Sequence, residues 1–196
     1  MKSQTRLVKA ALSLAVLVVF HARAFGLPER TIRQGSIEFT LGGYSMNEPR
    51  FDAVYQSGGL MSGLSLSSAV VSHVNLYLDI KYYSRQGELT FSKEKTTLYL
   101  VPVTVGLRYI YPFGLFNPYL GAGLDIYFFH EENPIGTVSN RTNGLHLAAG
   151  TFIRFSRSVP VLVNIRLKYT SAKAQQNGMS IQLGGFEYGA GLTFSF

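Results

Sequence analysis

Cysteine is absent from the 196 residues. That excludes disulfides, thiol catalysis and cysteine-based metal sites. After residue 24 no apolar run approaches the roughly 20 residues that a membrane helix takes. Helical periodicity is missing as well. Of the formal net charge of +7, four positives (Lys2, Arg6, Lys9 and Arg23) and no acid lie in the first 24 residues, which leaves +3 for the remainder. No basic stripe gathers on one face, so nucleic acid is not an expected partner. No phosphate-binding glycine loop and no cluster of metal ligands is visible.

What is present begins with an export-type front end. Lys2, Arg6 and Lys9 form a basic stretch, Ala10 to Phe20 is apolar except for Ser13, and Ala22-Arg23-Ala24 offers an A-x-A cleavage site. Residues 1–24 are therefore expected to be a signal peptide, and 25–196 one domain. Export normally permits disulfides, so this fold must hold without them.

Alternation of apolar and polar residues recurs in eight segments, the signature of strands. They are Ser36 to Tyr44, Gly58 to Leu66, Val74 to Tyr83, Thr97 to Tyr111, Pro118 to Phe129, Gly144 to Phe155, Pro160 to Thr170 and Ile181 to Phe196. Pro102 sits inside the fourth and predicts a local irregularity. In the eighth, the apolar phase changes parity at Gly184-Gly185, which predicts a bulge. Short connections (Ser67 to His73, Pro112 to Asn117, Ser156 to Val159) alternate with longer polar ones (Ser45 to Ser57, Ser84 to Thr96, His130 to Asn143, Ser171 to Ser180). Short turns at one end and long loops at the other are the pattern of a transmembrane barrel. The expected fold is all-β: an eight-stranded antiparallel transmembrane β-barrel, an up-and-down meander with both termini on the short-turn, periplasmic side.

The polar set carries Glu38, Asp79, Lys81, Arg108, Asp125, Arg154, Arg166, Lys168 and Glu187, four acids against five bases, interleaved with glycines. A solvated exterior needs neither balance nor small residues; a packed polar lumen needs both, because buried charges must be paired. Asp79 with Arg108 and Arg166 with Glu187 are the expected pairs. Tyr109, Tyr111, Phe113, Phe116, Phe155, Phe194 and Phe196 would line the short-turn rim, and Tyr82, Tyr99, Phe128, Tyr169 and Phe186 the loop rim, as two interfacial girdles.

The closing run Phe186-Glu-Tyr188-Gly-Ala-Gly-Leu192-Thr-Phe194-Ser-Phe196 resembles the C-terminal signal of bacterial outer-membrane proteins. The segments Val101-Pro-Val-Thr-Val-Gly-Leu-Arg-Tyr109 and Pro118-Tyr-Leu-Gly-Ala-Gly-Leu124 are similar to the middle strands of small outer-membrane barrels of the OmpW, OmpX and opacity-protein type. The resemblance implies the outer membrane of a Gram-negative bacterium, a porin-like barrel without cofactor, and an assembly signal at Tyr188, Leu192, Phe194 and Phe196 read by the barrel-assembly machinery. Outer-membrane lipid and lipopolysaccharide are the expected surroundings, with Lys93, Lys95, Arg141 and Lys173 available to phosphates. A monomer is expected.

Some barrels of this size modify lipid A, and those that deacylate it carry His-x-Ser with a carboxylate partner. None of His21, His73, His130 and His146 is followed two residues later by Ser. His130-Glu131-Glu132 is expected in a solvated loop and His146 inside. A non-enzymatic structural or interaction role is the expectation. A narrow conduit for small molecules and a lipid A-modifying enzyme are the alternatives.

Overall fold

The computed structural model describes residues 35–55, 58–90, 93–134, 136–156, 159–176 and 179–196. The expected signal, residues 1–24, lies outside the described residues. The elements are β1 (Gly35–Met46), α1 (Pro49–Tyr55), β2 (Gly59–Val71), β3 (Val74–Glu88), β4 (Lys95–Ile110), β5 (Phe116–Asn133), β6 (Gly136–Arg154), β7 (Val161–Gln176), β8 (Met179–Gln182) and β9 (Gly185–Ser195). Each strand from β1 to β7 pairs antiparallel with the next, and β9 pairs with both β7 and β1. The cylinder therefore closes on eight strands, and no barrel strand is left as an edge. β8 pairs only with the far end of β7, from Lys173↔Gln182 to Gln176↔Met179.

The alternating segments located every barrel strand but not its far end. β3 runs on to Glu88, β5 to Asn133, and β6 starts at Gly136. Much of the expected long loops is thus strand. Ladder hydrogen bonds continue past the last apolar outward residue, because a strand needs no greasy face once water surrounds it. At the other end β2 extends to Val71, and a bulge between Ala69 and Val71 precedes the turn at Ser72 and His73.

The irregularity expected at Pro102 is present. The β3–β4 register runs to Ile80↔Val103, resumes at Tyr83↔Leu100, and skips the residues between. Pro102 has no N–H to give to that ladder. The bulge expected at Gly184-Gly185 is absent. Tyr169 faces Phe186 and Lys173 faces Gln182, four residues on in each strand, so nothing is inserted. The disturbance is smaller: Leu183 and Gly184 both donate to the Ala172 carbonyl, at 2.9 and 3.1 Å. The parity change has another cause. Leu183 is buried inward, where Glu187 also points, while Phe186 and Tyr188 point out. The interior lining changes from polar to apolar, and the facing does not change.

Both ends of the described chain meet at the short-turn rim. Gly35 and Phe196 exchange two backbone hydrogen bonds of 2.9 Å each. A Cβ on Gly35 would lie 2.7 Å from the Phe196 ring, so a larger residue there would require that ring to shift.

Candidate functional site: the ionic interior

Inward positions of the eight strands hold the polar set and outward positions the apolar set. Asp79 and Asp125 are wholly buried, while Leu120 is 71% exposed and Leu145 68%. The buried charges are Glu38, Asp79, Asp125 and Glu187 against Lys81, Arg108, Arg166 and Lys168, with His146 among them. Four acids face four bases, so the interior is closer to neutral than the composition suggested. Arg154 accounts for the difference. It follows the buried Phe152 on the same face of β6, but it ends that strand half-buried at the short-turn rim. His146 lies eight residues back along β6, about 26 Å at strand rise, so Arg154 stands apart from the contact of Asp125 with His146.

Arg166 is the hub. It donates to Asp79 at 2.7 Å and to Glu187 at 3.0 Å. Lys81 also donates to Glu187. Lys168 meets Asp125 at 3.2 Å, Thr104 at 3.0 Å and Glu187 at 3.6 Å. Asp125 further accepts from Thr104 and, at 2.7 Å, from Thr170, and stands 3.3 Å from His146 Nδ1. The other face of His146 meets Tyr77 Oη at 2.5 Å. Charges so deep are tolerable only with this density of partners.

The expected pair of Arg166 with Glu187 forms. The expected pair of Asp79 with Arg108 does not. Across the β3–β4 ladder Asp79 faces Thr104, and Arg108 faces Asn75, four residues nearer the short turns. Asp79 reaches across the lumen to β7 instead. Arg108 donates to Ser67 at 2.8 Å, and its guanidinium lies over the rings of Phe152, Tyr77 and Tyr119 at 4.6, 5.4 and 5.5 Å. Glu38 forms a separate chain: Asn164 donates to it at 2.8 Å, and Tyr119 donates to Asn164 at 3.1 Å. Glycines make room for these groups. A Cβ on Gly191 would stand 2.4 Å from Glu38 Oε1, and one on Gly106 2.7 Å from the Tyr77 ring.

Apolar clusters flank the ionic layer on both sides. Ile110, Tyr119, Phe152 and Leu162 pack on the short-turn side. On the loop side Tyr44, Met46, Met61, Tyr83, Leu100, Tyr127 and Leu183 belong to a larger cluster that includes Phe51 and Tyr55 of α1. Beside Lys81, Arg166 and Glu187 the free space is about 10 Å³, room for one water.

A family model for the outer membrane protein beta-barrel domain matches residues 12–194. The chain belongs to this family. Membership places it in the bacterial outer membrane. No curated protein is a significant match. Among solved structures, the chain is similar to Neisserial surface protein A (14% identity, 83% of this chain and 97% of that one, TM-score 0.60). It is also similar to the N-terminal barrel domain of Pseudomonas aeruginosa OprF (16% identity, 85% and 100%, TM-score 0.55). Identities this low speak for a shared fold alone.

For an outer-membrane barrel, the exposed apolar wall is the lipid contact. Tyr109, Tyr111, Phe113, Phe116, Phe155, Phe194 and Phe196 are exposed around the short-turn end. Tyr82, Tyr169 and Phe186 are exposed, and Tyr99 and Phe128 half-buried, at the loop end. Two girdles therefore border the apolar band. The closing residues Tyr188, Leu192, Phe194 and Phe196 all face outward at the β1–β9 seam.

Sequence reasoning missed α1. Phe51 and Tyr55 stand one turn apart, their rings stacked at 4.8 Å, and both insert into the loop-side cluster. Tyr55 Oη donates to Glu131 at 2.8 Å, its carbonyl accepts from Arg85 at 2.9 Å, and burial pushes its phenol well above the ordinary value. The signal was a Phe-x-x-x-Tyr spacing inside a loop otherwise read as polar. His130 was misplaced as loop: it stands on the outward face of β5, paired with Ser139 of β6. Among the described residues no group of three metal-ligating side chains gathers.

Proposed function

We propose that this chain is a sealed outer-membrane barrel whose role is structural or interactive, its interior serving as a core and not as a pore or an active site. One observation carries this: the balanced ionic layer fills the middle of the lumen and is capped by apolar clusters on both sides. Conduction would require breaking these ion pairs, and the free space beside Lys81, Arg166 and Glu187 admits about one water. In this reading the termini and short turns face the periplasm, and α1, β8 and the long hairpins face outward. Residues 1–24 are removed on export. Lys93, Lys95, Arg141 and Lys173, all exposed on the loop side, meet lipopolysaccharide phosphates. The barrel works as a monomer, and no nucleic acid or cofactor takes part.

The test is planar-bilayer conductance of the purified protein. No stable channels are expected from the wild type, and stable single-channel steps would overturn the sealed reading. A conduit for apolar molecules is the second reading, favoured by the apolar cluster under α1 and the ladder gap opposite Pro102. Uptake of an apolar fluorescent dye into proteoliposomes that stay closed to ions would support it. The assembly reading has its own test. Deleting Phe196 should lower the heat-modifiable folded fraction in outer membranes, and an unchanged fraction would refute a signal there.

A further inference from the structure

We propose that Ser139, His130 and Glu132 form a serine-hydrolase site on the outer wall of the barrel, which cleaves carboxylic esters of lipids in the outer leaflet. This adds an activity on the outer wall to the structural or interactive role proposed above, and it leaves the reading of the interior as it stands.

The β5–β6 hairpin builds the arrangement. Ser139 faces His130 directly across the ladder, and Glu132 follows His130 by two residues on the same outward face. His130 Nδ1 lies 2.6 Å from Ser139 Oγ, and His130 Nε2 lies 2.9 Å from Glu132 Oε1. A carboxylate accepts and does not donate, so it selects the imidazole tautomer with hydrogen on Nε2. The Nδ1 lone pair then faces the serine hydroxyl. That is the relation of nucleophile, base and orienting group that acyl transfer requires. The Tyr99 ring lies beside the imidazole, centroids 6.1 Å apart.

Access separates this trio from the histidine cluster inside the barrel. Asp125, His146 and Tyr77 also stand in line, but Asp125 and His146 are wholly buried in the lumen, where no substrate reaches. The His130 and Glu132 side chains are 34% and 57% exposed. Their surroundings name the substrate class. His130 is two residues beyond Phe128 of the loop-side girdle, about 7 Å along the strand. Phe128 pairs with Arg141, and the apolar wall runs on through Ile126 to Leu124, which pairs with Leu145. An ester bond between headgroup and acyl chain sits at this level. Below it the apolar wall receives the chain.

The chemistry balances with water alone. Ser139 Oγ attacks the ester carbonyl carbon while its proton passes to His130 Nδ1. The carbon–oxygen bond breaks, the proton goes to the departing alcohol oxygen, and the acyl group stays on Ser139. Water then attacks the acyl carbonyl and gives its proton to Nδ1. The fatty acid leaves, and Ser139 recovers its hydrogen.

The experiment uses the full chain, folded in detergent micelles and checked by heat-modifiability. A fluorophosphonate probe followed by mass spectrometry should place its adduct on Ser139 and not on Ser62, an exposed outward serine of β2. Ser139→Ala should abolish the adduct, and His130→Gln should slow it about a hundredfold. Glu132 is a positioning residue, so Glu132→Asp should keep more of the rate than Glu132→Ala. In vesicles of phosphatidylethanolamine and phosphatidylglycerol the wild type should release fatty acid and Ser139→Ala should not. Equal labelling of Ser139 and Ser62 in the folded barrel would overturn the site. Labelling of Ser139 without release of fatty acid would overturn the lipid assignment.

Discussion

The middle of the barrel and its loop-side end use the same inward positions for opposite chemistry. In β5 the inward series passes from Asp125 to Tyr127 and Phe129; in β7 it passes from Arg166 and Lys168 to Ala172 and Ala174. The outward series runs the other way. Ile165, Leu167 and Tyr169 face lipid, and Ser171 and Lys173, further along β7, are exposed polar residues. The girdle of Tyr82, Tyr169 and Phe186 marks the crossover. Within the bilayer the apolar solvent is outside, so polar groups are driven inward and must pair there. Beyond the headgroups water is outside, and the same cylinder becomes an ordinary protein with a greasy core. One closed sheet is inside-out below the girdle and right-side-out above it.

Breaking the hub should show the largest effect. Arg166→Met leaves Asp79 and Glu187 without their shared partner, and we expect a loss of about 3–5 kcal/mol in urea unfolding from lipid vesicles. A variant as stable as wild type would mean that the interior carries no strongly coupled charges. Next comes the outer wall below the girdle. Leu124→Arg should cost roughly 2–4 kcal/mol in the same assay, whereas Ser171→Arg, above it, should be within experimental error. Equal costs at the two positions would place the bilayer boundary elsewhere.

The loop-side core should be the more separable unit. Phe51→Ala removes a ring from the apolar cap, and we expect faster hydrogen exchange in α1 and at the far ends of β3 and β4 with no change at the ionic layer. Loss of protection throughout the barrel would show one cooperative core. The smallest effect is expected from Tyr55→Phe. It deletes the hydrogen bond to Glu131 and should loosen the cap by about 1 kcal/mol, read by protease sensitivity near α1.

Alternation revealed the eight strands because it is local: a period of two marks each strand without reference to its neighbours. Facing followed from the balance and small size of the polar set. Boundaries did not, because the hairpins above the girdle are held by backbone pairing that leaves no apolar trace. The parity change before Gly185 was visible and misassigned, since a bulge and a change of lining produce the same pattern.

Composition and periodicity were enough to determine a closed all-β cylinder with a greasy wall and a charged interior, since those follow from the solvent on each side. Which charges pair was not written in them. Asp79 meets Arg166, 87 positions away in the chain, and not Arg108 on the neighbouring strand, because shear and lumen width select partners across the cylinder. Likewise Ser139 reaches His130 through the register of a hairpin, nine residues away and outside any local motif. Only the tertiary structure decides such contacts, because register and closure, not chain spacing, bring the side chains within hydrogen-bonding distance.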